Sequence, residues 1–309
     1  MPNGTLSHIP KAIRQLNPGS AARESERSFS LAIVGAAEDE VSEIRHFLLG
    51  PNPAQREIAC SRQCVKGYIA PLDTAAQADV SRADLVLATV SAATGTASAV
   101  FFDPQNPGQS VKDVLNTGRG ADLRLALASC FPPFRNEVAR RIVREVSKEN
   151  AIFVIATALG NVVPSIFQPL LGVAEAASDT AFLTANQVRM LFLVGTAYGE
   201  QVGYAAQWRE ITSIIGAAFG WRAIARELVA KIPFGGGLVP KGAIAYTGTT
   251  VIGEGLIFYY TTGRRMTREE MKRTFQRVYS EGLESARSLA GKLGAGKAGA
   301  SGKGSGDMD

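Results

Sequence analysis

A short apolar run that ends in glycine and passes directly into a helical repeat sets the terms for this chain. Residues 29–49 read FSLAIVGAAEDEVSEIRHFLL. Phe29 to Val34 is rich in Leu, Ile and Val, and Gly35 ends it. After Glu38, Val41, Ile44, Leu48 and Leu49 recur at helical spacing. A buried strand of this kind needs a sheet to belong to. A strand that feeds a helix through glycine is also the setting in which backbone N–H groups hold phosphate.

The stretches that follow supply the sheet. Glu57–Cys60 and Val65–Ala70 are weakly extended, and Ala83–Val90 (ADLVLATV) is almost unbroken apolar sequence, as expected of a central parallel strand. Thr94–Gly108 reads as a loop around a short apolar Ala99–Phe102, and Asp122–Ala128 (DLRLALA) as another strand. Pro132-Pro133 opens a helix with Phe134, Val138, Ile142 and Val146 four apart. Ala151–Thr157 (AIFVIAT) reads as a last strand. Strands alternating with helices predict a mostly parallel sheet covered on both faces.

The second half changes character. Ala151–Ala174 carries no charge, a length that could cross a bilayer, but Gly160, Pro164, Pro169 and Gly172 interrupt it. It reads better as a strand, a proline-containing link and a short helix. Asp179–Tyr198 predicts a long helix whose Asn186, Gln187 and Arg189 need partners if buried. Ala205–Ile232 is helical and ends at Pro233 and Gly235–Gly237. Ala243–Thr262 has Glu254 as its single charge, and Gly242, Gly248, Gly253 and Gly255 permit close packing. It is either a buried helix of a bundle or a membrane span, and a mid-span carboxylate, costly in lipid, favours the former. Thr267–Glu270 is a capping box opening a final helix with Met271, Phe275, Val278, Gly282, Ala286 and Leu289 on one stripe. Arg264, Arg265, Arg268, Lys272, Arg273 and Arg277 lie off that stripe. They form a solvated basic face or a surface for lipid headgroups or a protein partner.

Charge is unevenly placed. Residues 1–221 hold 19 Lys/Arg against 20 Asp/Glu, and residues 222–309 hold 14 against 8. The basic character of the C-terminal part suits an anionic membrane surface or an acidic partner; it lacks the interleaved aromatic platform of a nucleic-acid binder. Three cysteines, Cys60, Cys64 and Cys130, do not make a disulfide framework, and with two histidines no zinc site is expected. Reduced thiols and a cytoplasmic setting follow as expectations, and no apolar signal segment is visible near Met1.

The glycine turn can be tested against the chemistry it would perform. A working phosphate loop has Gly, four residues, then Gly-Lys-Ser/Thr: glycines let the backbone wrap the phosphates, lysine reaches the terminal ones, and the hydroxyl binds magnesium. From Gly35 this chain reads Gly-Ala-Ala-Glu-Asp-Glu-Val-Ser. Gly35 and Ser42 fall in place, but Glu40 replaces the second glycine and Val41 the lysine. Glu38, Asp39 and Glu40 suit the positive end of a helix and repel a polyphosphate. Leu72–Gln77 (LDTAAQ) resembles the Asp-x-x-Gly switch segment of small GTPases, with Asp73 in the magnesium-orienting position and Ala76 in place of glycine. An ordinary polar loop is the plainer reading, because too few residues precede the next strand for the usual intervening helix. Asn-Lys-x-Asp is absent after Asp122–Ala128, where the chain reads Ser129-Cys130-Phe131-Pro132. Thr157-Ala158-Leu159 is a weak match to the Ser-Ala-Lys segment.

The helical half resembles the YcjF-like helical domain of unknown function that follows Era-like GTPase domains. The resemblance is carried by Asp179–Gly199 (DTAFLTANQVRMLFLVGTAYG), Trp221–Leu228, Ile232-Pro233 and Lys241–Thr249, and covers roughly residues 150–263. It implies a bacterial protein, a helical domain coupled to a GTPase-like module, and membrane association; it implies no catalytic residues. The expectation is therefore an α/β, GTPase-like domain at 29–160 and an all-α domain at 161–290. A flexible arm (1–28) precedes them and a disordered Gly/Ser/Lys tail (291–309) follows. Gly35, Ser42 and Asp73 are the remnants of a nucleotide site in a non-hydrolysing scaffold or adaptor without a cofactor. The alternatives are a divergent nucleotide hydrolase using GTP with magnesium on Ser42 and Asp73, and a soluble partner-binding or homo-oligomeric module.

Overall fold

The computed structural model describes residues 4–92, 99–159, 179–214 and 237–301. The chain divides into a sheet unit, residues 19–139 with 193–202, and a helical unit, residues 1–18, 140–192 and 203–309.

The sheet unit is a doubly wound parallel sheet. β1 (Leu31–Gly35) is buried along its whole length. It is flanked by β2 (Val65–Ile69) and β3 (Leu85–Ala88), with the two-residue β4 (Val100–Phe101) beyond β3, so the order is β2-β1-β3-β4, all parallel. Register pairs Ile33 with Gly67 and Leu87, and Val34 with Tyr68 and Ala88. Ala32, Val34, Val86 and Ala88 form a core with Val80 of α5 (Thr74–Arg82). On the other face lies α3 (Glu38–Leu49), which buries Val41, Ile44 and Leu48 as its spacing predicts. α2 (Pro18–Ser25), α4 (Gln55–Cys64), α6 (Pro107–Asn116), α7 (Gly118–Asp122) and α8 (Arg124–Cys130) complete the unit, with the first residues of α9 (Pro132–Ala158).

Several expectations are corrected here. Asp122–Ala128 is not a strand; most of it belongs to α8, where Leu125 to Ser129 are all buried. Ala151–Thr157 is not a strand either, because α9 continues through it to Ala158. Short apolar runs are buried equally well as strand or as enclosed helix, and their periodicity does not separate the two. Glu57–Cys60 is helical. Its start is fixed by Glu57, whose carboxylate accepts the Ala54 N–H at 2.7 Å. Within the segment expected to be a flexible arm, α1 (Gly4–Arg14) and α2 are helices, and Ile9, Ala12, Ile13 and Leu16 are buried.

In the helical unit, α10 (Asp179–Ala197), α11 (Leu238–Thr262) and α12 (Arg268–Ser301) join the second part of α9. α12 opens on the expected reciprocal cap, Thr267 N–H to Glu270 and Glu270 N–H to the Thr267 hydroxyl. It runs as a helix into the segment read as a disordered tail, as far as Ser301. Two of the four α11 glycines do what close packing requires. A Cβ at Gly242 would sit 2.7 Å from Ile155, and one at Gly253 would run into Val143, whereas a Cβ at Gly248 or Gly255 would meet nothing within 4 Å among the described residues. The polar residues of α10 find partners. Asn186 donates to Asn150 at 2.8 Å, Asn150 donates to Thr249 at 2.8 Å, and Gln187 donates to Thr249 at 3.2 Å. Arg189 pairs with Glu149 and donates from Nε to the Asn186 side-chain oxygen at 2.8 Å. No helix among the described residues is long and apolar enough to cross a membrane. The proline-containing link and short helix expected after Leu159, the second half of Ala205–Ile232, Trp221–Leu228, Ile232-Pro233 and the tail beyond Ser301 lie outside the described residues.

Candidate functional site

In an open parallel sheet, ligands bind at the carboxyl ends of the strands where the strand order reverses. Here that point lies between β1 and β3, since the chain leaves β1 for β2 on one side and returns to β3 on the other. Gly35 ends β1, and Thr89 and Ser91 follow β3, with the Thr89 N–H bonded to the Val34 carbonyl at 3.0 Å. The crevice is filled from within. The Glu40 carboxylate accepts the Ala36 N–H at 2.7 Å, the Thr89 hydroxyl at 2.7 Å and the Ser91 hydroxyl at 2.9 Å. Glu40 is the third residue of α3 and reaches back to the amide just before the helix, the geometry in which a first-turn acid satisfies an orphan donor.

The turn itself is too short to wrap a phosphate. Only Ala36 and Ala37 separate Gly35 from α3, so the positions aligned with the second glycine and the lysine, Glu40 and Val41, lie inside the first helical turn. Val41 is 3% exposed and packs onto both strands: a Cβ on Gly35 would be 2.9 Å from it, and one on Gly67 2.6 Å. The position at which a nucleotide-binding loop presents its lysine is a core contact in this protein.

Hydrogen bonds from Thr89, first, then from the Ala36 amide and Ser91, hold the Glu40 carboxyl below its ordinary value of 4.5. A depressed carboxyl stabilises the fold above its unfolded pKa, and that contribution is lost as pH falls through the lower folded value. The gap in melting temperature between the wild type and Glu40→Ala should therefore be largest near neutrality and shrink below pH 4.5. Thermal unfolding across that range measures it, and a gap that does not change with pH would show that the carboxylate's charge is irrelevant.

Of the other sequence-marked residues, Ser42 lies on α3 beyond the crevice contacts. Asp73 caps α5, accepting the Ala76 N–H at 2.7 Å. That helix corrects the expectation that too few residues separate Asp73 from β3. Thr157 is a helical residue whose hydroxyl donates to the Phe153 carbonyl at 3.0 Å. In the helical unit, Arg264, Arg265, Arg268, Lys272, Arg273 and Arg277 are all exposed, as their place off the apolar stripe predicts. Arg264 pairs with Glu270 at 2.8 Å and Arg277 with Glu254 at 2.5 Å, which lowers the net positive charge they present. The Arg264 guanidinium holds the Glu270 carboxyl down to about 2.

A second feature of the sheet unit escaped the sequence. Cys60 on α4 and Cys130 at the end of α8 are joined by a disulfide, with Cα atoms 5.8 Å apart, and Cys64 carries a free thiol 3.7 Å from Cys60 Sγ. The expectation of three reduced thiols is corrected accordingly. The two bonded cysteines lie 70 positions apart, and only the docking of α8 on α4 brings them together. Arg56 braces the same contact, donating to the Ser129 carbonyl at 2.8 Å, to the Ser129 hydroxyl and to the Gly199 carbonyl at 2.5 Å. All three cysteines line a cavity of about 730 Å³. Burial pushes the Cys64 thiol up.

Fold and site together define a class: a small doubly wound parallel α/β unit whose switch-point crevice is closed by its own carboxylate, accompanied by a helical unit. No family model, no curated protein and no solved structure matches the chain.

Proposed function

We propose that this chain is a GTPase-like protein that does not hydrolyse nucleotide, a pseudo-GTPase serving as scaffold or adaptor at the cytoplasmic face of a membrane. The observation that carries the reading is the occupant of the crevice. The Glu40 carboxylate takes the amide and hydroxyl donors that an anionic ligand would need at the switch point, and it brings a negative charge to the place where phosphates would lie. Val41 in the core leaves no lysine to answer the phosphate charge, and Asp73 is engaged as a helix cap rather than offered to magnesium. The YcjF-like character of Asp179–Gly199 and Lys241–Thr249 supports the pairing with a helical domain. The exposed basic residues from Arg264 to Arg277 support a peripheral contact with anionic lipid headgroups, which needs no membrane-crossing helix.

Calorimetric titration of the purified chain with GTP and magnesium tests the first part. No heat of binding is expected at micromolar protein, and a nanomolar or micromolar dissociation constant would overturn the pseudo-GTPase reading. Sedimentation with phosphatidylserine vesicles tests the second part. Binding should weaken as salt rises and fall when Arg265, Arg268 and Arg273 are changed together to Gln; full recovery of the wild type in the supernatant at physiological salt would remove the membrane from the proposal.

A further inference from the structure

The three cysteines and the cavity beside them lie apart from the Glu40 crevice in both residues and chemistry. Two features make the place more than a structural tie. A disulfide with a third thiol 3.7 Å from one of its sulfurs already holds the partners of an exchange reaction. The cavity is also large enough to admit a small molecule, and its wall includes Thr196, a residue 3% exposed whose buried hydroxyl has no hydrogen-bond partner among the described residues. A buried hydroxyl without a partner is costly, and a polar ligand in the cavity would satisfy it.

We propose that Cys60, Cys64 and Cys130 form a thiol–disulfide exchange centre. A low-molecular-weight thiol with a polar arm enters the cavity and shifts the bond from Cys60–Cys130 to Cys60–Cys64. The entering thiolate attacks Cys60 Sγ. The Cys60–Cys130 bond breaks and its electron pair leaves on Cys130, which takes up a proton. The mixed disulfide on Cys60 is then attacked by Cys64 as thiolate, its proton passing to water. The small thiolate is expelled and recovers a proton, leaving Cys60–Cys64 and a Cys130 thiol. No net oxidation occurs, and the entering thiol is returned. Arg56, held on Ser129, keeps a permanent positive charge one residue from the sulfur that must leave as an anion.

The mechanical consequence follows from where the bonds run. Cys60–Cys130 ties α4 to the end of α8, whereas Cys60–Cys64 lies within α4 alone. Exchange therefore releases α8 from its covalent link to α4 just before α9 begins, and leaves that contact to non-covalent bonds, those of Arg56 to Ser129 and of Arg135 to Glu57 and Ala128 among them.

Trypsin resolves every pairing, because Cys60, Cys64 and Cys130 fall in separate peptides, Glu57–Arg62, Gln63–Lys66 and Leu125–Arg135. The full chain, purified without reductant, is incubated with reduced glutathione, quenched with iodoacetamide, digested and mapped by mass spectrometry. Untreated protein should show the Cys60–Cys130 pair, and treated protein should add Cys60–Cys64 with Cys130 alkylated. Cys64→Ser should stop at glutathione on Cys60. Cys130→Ser, which does not depend on the original bond, should close Cys60–Cys64 with oxidised glutathione. Thr196→Val should slow exchange several-fold with glutathione and leave it unchanged with β-mercaptoethanol, which has no comparable polar arm; equal slowing with both would remove Thr196 from the ligand site. Absence of the Cys60–Cys64 pair in both the wild type and Cys130→Ser, or three alkylated cysteines in the untreated protein, would overturn the proposal.

Discussion

Val41→Lys, which writes the phosphate-loop lysine back into its aligned position, is expected to lower the stability of the sheet unit by about 4 kcal/mol or more and to confer no nucleotide binding. Val41 is 3% exposed and its methyl groups touch the backbone surface at Gly35 and Gly67, so a longer side chain has nowhere to lie. Its ammonium would be taken from water without a designed partner. A buried lysine answers by losing its proton over a shift of several pKa units, each worth about 1.4 kcal/mol. For a domain whose total stability is on the order of 5–15 kcal/mol, that is a large fraction. Urea unfolding followed by circular dichroism, with GTP and magnesium titrated in parallel, reads both effects. A variant of wild-type stability that binds GTP would show that Val41 marks a lost contact in an otherwise working loop, and would remove the short-turn argument.

Asn186→Leu should cost about 3 kcal/mol in the helical unit although leucine restores the volume. Asn186 is fully buried; its amide donates to Asn150 at 2.8 Å and to Glu149 at 3.1 Å, and its oxygen accepts from Arg189 Nε at 2.8 Å. Leucine leaves the Asn150 oxygen without that donor and Arg189 Nε without that acceptor. Stranding the buried Asn150 oxygen costs roughly 1–3 kcal/mol, and the half-buried Arg189, which water can reach, adds less. The expected result is a lower urea midpoint at an unchanged slope. Asn150→Leu and Asn186→Leu share one bond, so the double variant should lose less than the sum of the two singles. Additive losses would show that the two amides act independently and that the network does not couple α9 to α10.

The two losses arise from residues of different legibility. Asn186, Gln187 and Arg189 stand out in an otherwise apolar helix, so their need for partners was readable, but Asn150 and Thr249 as those partners were not. Glu40 was legible as a charge hostile to phosphate. That it would itself occupy the donors at the end of β1 depended on Thr89 and Ser91, 49 and 51 residues away. Asp122–Ala128 and Ala151–Thr157 read as strands because short, mostly apolar runs suit a buried strand and a buried helix equally. The disulfide was invisible for the same reason of distance, and so was the cavity it borders.

What the amino-acid order determined alone is what neighbours along the chain can settle. The β1–turn–α3 unit, the buried stripe of Val41, Ile44 and Leu48, the Thr267–Glu270 cap and the polar set on α10 follow from side-chain period and capping chemistry within a few residues. The tertiary structure alone decided that Val41 is core, that Glu40 closes the switch-point crevice, and that Cys60 meets Cys130 with Cys64 beside them. Those outcomes are pairings between segments far apart in sequence, and local periodicity says which face of an element is apolar without saying what will cover it.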